Sequence, residues 1–339
     1  MKTIRTFNRP HRAAVANGLA LLLSGCDQIR MARLYFANEG TDAVLEQALP
    51  LTLPFREDRG WVIVQASVNG AAPVDFVLDT GASMLAVLEG PRTRGLGLDM
   101  HAMERIGEGL AAITAAVQPS VDIDFGPLTL PGQTVLAIPV ASLKCSEEIP
   151  EPPFQGVVGH ELFSRYVVEI NYDRGQVVLH DPETYRYEGA GRIVPAEISS
   201  RQPYVQADVA APDGRRYQAR LHVDSGANID LSLFPKTHAD IVAPAQGPSR
   251  NACFVGGLAS YRTGSSVDIG LGEGPAITTP AEYALGDEVI DTGQNGRLGS
   301  RFLSRHNVVF DYSRGQMILE PRAAASEAVA AQGAGASLR

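Results

Sequence analysis

Two short acidic motifs, each closing an apolar run and each set in the same succession of neighbouring blocks, constrain this 339-residue chain more than any other feature. FVLDTGAS, residues 76–83, is answered by LHVDSGAN, residues 221–228. Upstream, IVQASVNG (63–70) matches YVQADVAAPDG (204–214), and downstream VDIDFG (121–126) matches VDIGLG (267–272). A last block, Val157–Pro182, matches Arg297–Pro321. The displacement is 145 residues for the acidic motifs and 140 for Gly159 against Gly299. Four blocks in one order at nearly one displacement read as a duplicated unit, and two similar units are expected to pack about an approximate two-fold axis.

Within each copy the apolar spacing is that of strands. WVIVQASVNG, VDFVLDT, VDIDFG and TVLAIPV each run for a strand's length, and YVVEINYDRGQVVLHD reads as a hairpin about its Asp-Arg-Gly turn. LPLTLPF and RIVPAEI look like the leading strands of the two copies. With 34 Gly, 22 Pro and only 6% aromatics, tight turns are favoured over long helices. Helices are expected only in MARLYFANEGTDAVLEQAL, GHELFSR, GSRFLSR and SLFPKTHADIV. The expected fold class is therefore all-β: two homologous β-barrel lobes, 49–186 and 191–321, related by a pseudo-two-fold axis.

The ends are set apart by composition. Lys2, Arg5, Arg9 and Arg12 precede the apolar run AVANGLALLL, which ends in LLSGC at Leu22–Cys26. The order resembles a bacterial lipoprotein signal peptide, 1–25, with Cys26 as the lipidated residue. That implies a bacterial cell-envelope protein facing the periplasm, attached to membrane through the lipid anchor. A linker with a short helix is expected over 26–48, and a disordered tail over 322–339. In an oxidising compartment Cys145 and Cys253 either pair as a disulfide or stand as two buried thiols.

An aspartate at the end of a buried strand is costly unless something uses it. Brought together, Asp79 and Asp224 cannot both ionise comfortably; they share a proton and titrate as a pair. One member then takes a proton from a water while the other donates to a peptide carbonyl. Thr80 and Ser225 suit hydrogen bonds to the opposite loop, and Gly81 and Gly226 permit close backbone approach.

On these motifs the chain resembles the bacterial retropepsin-like aspartic peptidases, duplicated in one chain in the pseudo-dimeric manner of pepsin. The resemblance spans Leu49–Pro321 and implies two retropepsin-like lobes, with Gly159 and Gly299 in the segments that cross behind the catalytic loops. It also implies glycine-rich hairpins over the cleft, with Gly107 and Gly109 in one copy and Gly256 and Gly257 in the other, and Tyr261 as a weak latch candidate. Two positions depart from the family pattern: His222 and Arg297 stand where apolar residues are usual. A third Asp-Thr-Gly, at Asp291, lies 8 residues before Gly299 with no counterpart in the first copy, and is read as an ordinary loop.

The charge balance, 29 Lys+Arg against 38 Asp+Glu for a net −9, gives no basic field for nucleic acid. No H-E-x-x-H, phosphate-loop or G-x-S-x-G pattern is present, so no cofactor and no metal are expected. The expected activity is aspartic-type endopeptidase, acting on an extended peptide or unfolded protein segment, in a monomer with an internal pseudo-dimer. The alternatives are a catalytically weak peptide-binding or cell-envelope protein, and a hydrolase of a non-protein amide.

Overall fold

Alternation of apolar and polar side chains turns one face of each outer strand inward. In Leu51–Pro54 the two leucines are buried while Thr52 and Pro54 are exposed. The strands that carry the acidic motifs are buried on both faces at their ends, as in Phe76-Val77-Leu78 and Leu221-His222-Val223. The computed structural model describes residues 29–106, 112–143, 152–254, 257–286 and 293–323. The chain divides into two compact units, Met1–Glu39 and Gly40–Arg339. In the first, residues 29–35 are helical; the strands belong to the second.

Those strands form two sheets. A nine-stranded sheet runs Val44–Leu45, Leu128–Pro139, Ala86–Glu89, Gly156–Val158, Val74–Leu78, Trp61–Val68, Ile113–Asp124 and Met103–Ile106. Arg56–Asp58 pairs off this path beside Trp61–Val68, and Ile113–Asp124 also pairs with Leu128–Pro139 through two register shifts. A fifteen-stranded sheet begins Ser249–Phe254, Gly257–Thr263, Ala281–Ala284, Leu231–Leu233, Gly296–Gly299, Arg216–Asp224 and Gln202–Ala210. It continues through Arg192–Ser199, Gln316–Pro321, His306–Asp311, Val167–Asn171, Gln176–His180 and Leu51–Pro54. Val267–Leu271 and Ile277–Thr279 branch from Gln202–Ala210.

The expected pair of retropepsin-like barrel lobes about a pseudo-two-fold axis is corrected by this topology. Among the described residues the sheets are not two closed barrels of matching strands: one sheet has nine strands and the other fifteen. Strands from both halves of the sequence enter the larger one, and Gly40–Arg339 is not divided further. The physical reason is lateral pairing. Val168 and Ile170 pair with Phe310 and Val308 of the other half, all four fully buried, so the Val167–His180 hairpin extends a shared sheet. Phe163 seals this join, its ring edge-on to Phe310 at 5.3 Å and stacked on Tyr312 at 5.5 Å. What the sequence blocks do share is local: each acidic strand lies between a long antiparallel partner and a short parallel one.

Helices are fewer than expected. His160–Phe163 and Ser300–Leu303 are single α-turns, the SLFPKTHADIV segment yields only a 3-10 turn at Pro235–Thr237, and the early segment gives way to a strand at Val44–Leu45. Among the described residues no helix is long and apolar enough to cross a membrane.

Candidate functional site

Each acidic loop is built by its strand neighbours. Leu78 pairs with Val158 and Val223 with Leu298 in parallel ladders, so Asp79 and Asp224 emerge where a buried strand is held on both sides. The N–H of Asp79 donates to the Val158 carbonyl at 2.9 Å, fixing the loop's departure. Gly159 and Gly299 follow those parallel strands and lie against the backs of the loops. A Cβ on Gly159 would collide with the Asp79 and Ala82 carbonyls, and one on Gly299 with the carbonyls of Ala227 and Ile229.

The loops then interlock. Thr80 Oγ1 donates to the Val223 carbonyl at 2.7 Å and accepts from the Ser225 N–H at 2.9 Å. Ser225 Oγ donates to the Leu78 carbonyl at 2.8 Å and accepts from the Thr80 N–H at 2.9 Å. Both hydroxyl residues are 1% exposed, so their exchange with these four backbone groups is buried.

Held in this way, the carboxyl groups of Asp79 and Asp224 come to one N–H, that of Gly226. Asp79 Oδ1 accepts from the N–H of Gly81 at 2.7 Å and of Gly226 at 3.1 Å. Asp224 Oδ1 accepts from the N–H of Gly226 and of Ala227, both at 3.0 Å. Gly81 and Gly226 must be glycine for close approach: a Cβ on the first would lie 2.7 Å from Asp224 Oδ1, and one on the second would overlap the Asp79 carboxyl.

The pair is electrostatically unequal. Burial, and next the charge of Asp224, push Asp79 up to about 8, with the Gly81 and Gly226 N–H groups pulling weakly the other way. Burial pushes Asp224 up too, but the Arg297 charge, with His222 and the bond from Asp79, outweighs it and leaves Asp224 below the ordinary carboxylate range. Burial thus opposes ionisation of Asp79, while the Arg297 charge favours it at Asp224. Arg297 Nε is 3.2 Å from Asp224 Oδ2, yet it is not angled to donate, so the contact is an ion pair without a formed hydrogen bond. His222, stacked on Tyr204 with centroids 5.1 Å apart, is lowered to about 4, by burial first, and is neutral near pH 7.

Sequence reasoning missed two residues that brace the loops. Trp61 Nε1 donates to the Gly226 carbonyl at 2.7 Å, and Gln202 Nε2 donates to the Gly81 carbonyl. The signal was present: each precedes its copy of the I/Y-V-Q-A block by two residues, in matching register.

Residues 64–162 match a family model described as aspartyl protease. The match takes in Asp79, Thr80, Gly81 and Gly159 and stops short of Asp224, so the family likeness belongs to part of the chain. No curated protein matches the chain.

Other expected site residues fall elsewhere. Cys26, Cys145, Gly107, Gly109, Gly256 and Asp291 lie outside the described residues. The described strand Met103–Ile106 pairs with Ile113–Asp124, and Ser249–Phe254 pairs with Gly257–Thr263. Gly257 itself opens a strand, opposite Phe254. Cys253 is disulfide-bonded, and the chain's other two cysteines are Cys26 and Cys145. Among the described residues no group of three or more His, Cys, Asp or Glu side chains is placed to hold a metal ion.

Proposed function

We propose that Asp79 and Asp224 form a one-proton carboxylate pair that hydrolyses peptide bonds. Asp224, held ionised, takes a proton from a water lodged between the two carboxyl groups, and that water attacks the scissile carbonyl carbon. Asp79 gives its proton to the carbonyl oxygen, forming a neutral tetrahedral adduct. Collapse of the adduct expels the amine, which takes a proton from Asp224, while an adduct hydroxyl returns its proton to Asp79 as the C=O bond re-forms, so the carboxylic acid product leaves the pair in its starting state. The observation that carries this reading is that Asp79 Oδ1 and Asp224 Oδ1 accept from one N–H, that of Gly226, on loops joined by the Thr80–Ser225 exchange. The partial family match supports the same class of chemistry.

Lipid attachment at Cys26 and a place in the bacterial cell envelope belong to the same proposal, supported by the basic and apolar order of the leader. With Cys26 so committed, the disulfide at Cys253 falls to Cys145.

The test is hydrolysis of a diverse peptide mixture by the chain lacking residues 1–26, beside Asp79→Asn and Asp224→Asn. Cleavage by the parent that vanishes in both variants supports the proposal; cleavage that persists in both overturns it.

A further inference from the structure

Paired residues in adjacent strands share a face of the sheet, and residues two apart on a strand share it as well. Val77 therefore lies on the face of Asp79, and the registers extend that face through Val157, Ala86 and Leu136. Every member of this row is apolar. His222 lies on the face of Asp224, and the equivalent pairings extend it through Arg297, Ser232 and Glu282. Every member of this second row is polar.

Most of the polar row is internally committed. Glu282 accepts two hydrogen bonds of 2.8 Å from Arg250 and one of 2.6 Å from Ser232. His222 is 3% exposed and stacked on Tyr204. Arg297 differs. Its Nε faces Asp224 without donating, its side chain is 27% exposed, and its other guanidinium nitrogens have no acceptor among the described residues. A guanidinium that has a buried carboxylate at its root and unmatched donors at its tip, beside the reacting pair, is a ready carboxylate receptor.

We infer that Arg297 reads the substrate, receiving an acidic side chain on the Asp224 flank of the scissile bond. This rests on the peptide-hydrolase reading above and adds a substrate class to it, peptides with an acidic residue beside the cleaved bond. The arginine supplies direction, because a mismatched aliphatic group would leave its donors unpaired.

The experiment compares two peptides of one sequence, with glutamate or leucine at the acidic-flank position, in the chain lacking residues 1–26. The ratio of their kcat/KM values is measured for the parent, Arg297→Val and Arg297→Lys, and the ratio of their Kd values is measured in the Asp79→Asn background. The parent is expected to favour glutamate by about tenfold or more. Arg297→Val should abolish or reverse the preference, and Arg297→Lys should keep part of it. A parent ratio near one, or a glutamate preference unchanged in Arg297→Val, overturns the inference and leaves Arg297 as a counter-ion for Asp224. If no protein cleaves either peptide while Asp79→Asn still shows an Arg297-dependent Kd ratio, the hydrolytic reading fails and the specificity stands. Absence of both cleavage and discrimination in binding overturns the inference.

Discussion

Thr80 and Ser225, 145 residues apart, each donate a side-chain hydrogen bond to the carbonyl preceding the other loop's aspartate and accept one from the other's N–H. The exchange makes the position of one carboxylate depend on the backbone of the other. Removing either hydroxyl strands a buried donor and a buried acceptor. Thr80→Val is expected to lower folding stability by about 3 kcal/mol, at roughly 1–3 kcal/mol for each group left unsatisfied. Urea unfolding followed by circular dichroism measures this, and a loss below about 0.5 kcal/mol would mean that water replaces the hydroxyl.

Gly81→Ala and Gly226→Ala place a methyl group against the opposite carboxyl. The aspartates must part or the loops must separate, and in both cases the direct carboxyl contact is lost. Peptide hydrolysis is expected to fall by about a thousandfold or more, the scale of losing a positioned acid-base partner. Retention of parental kcat/KM in either variant would show that the contact is dispensable.

The upward shift of Asp79 ties stability to pH with a definite sign. A free aspartate releases its proton near the ordinary value of 3.8, whereas the folded chain retains it up to about 8, chiefly through burial and then the Asp224 charge. Stability from that retained proton is complete below the lower value and lost as pH rises through the upper one. Asp79→Asn removes the dependence. Its Tm is expected to exceed the parent's by at least about 2 °C at pH 8 and to approach it near pH 4. A variant less stable than the parent at pH 8 would reverse the sign. Hydrolysis, which needs the singly protonated pair, is expected to decline over the same upper range.

Trp61 and Gln202 brace the loops from outside. Trp61→Phe keeps the ring near Phe154, whose centroid lies 5.5 Å away, and deletes only the bond to the Gly226 carbonyl. A stability loss of about 1 kcal/mol with a larger proportional loss in kcat than in KM is expected. A change confined to KM would place the tryptophan in substrate binding instead.

The sequence made some levels of this molecule legible and hid others, for physical reasons. Strands with strict apolar patterning, Trp61–Val68 and Val74–Leu78 among them, were readable because two faces of burial leave little choice of residue. The reciprocity of Thr80 and Ser225 followed from the repeat, since a hydroxyl at one matched position implies its twin. The sheet assignment did not follow. Whether the Val167–His180 hairpin folds onto its own half or adds to His306–Asp311 depends on lateral hydrogen bonds that any apolar strand can make, and the second outcome replaced two barrels with a shared fifteen-stranded sheet. Short strands such as Leu231–Leu233 and Ala281–Ala284 carry too few residues to show a period. Arg297 was visible as a departure from the family pattern, but its contact with Asp224 depends on strand register, which no local pattern reports.

The central claim is that Asp79 and Asp224 hold one proton between them with the charge on Asp224. Carbon-13 NMR of aspartate carboxyl groups, titrated from pH 3 to 9 in the parent, Asp79→Asn and Asp224→Asn chains, measures this directly. One carboxyl resonance should stay protonated beyond pH 6 in the parent and be absent from Asp79→Asn, with a partner already ionised near pH 4 and absent from Asp224→Asn. Two resonances titrating independently near the ordinary aspartate value would contradict the account.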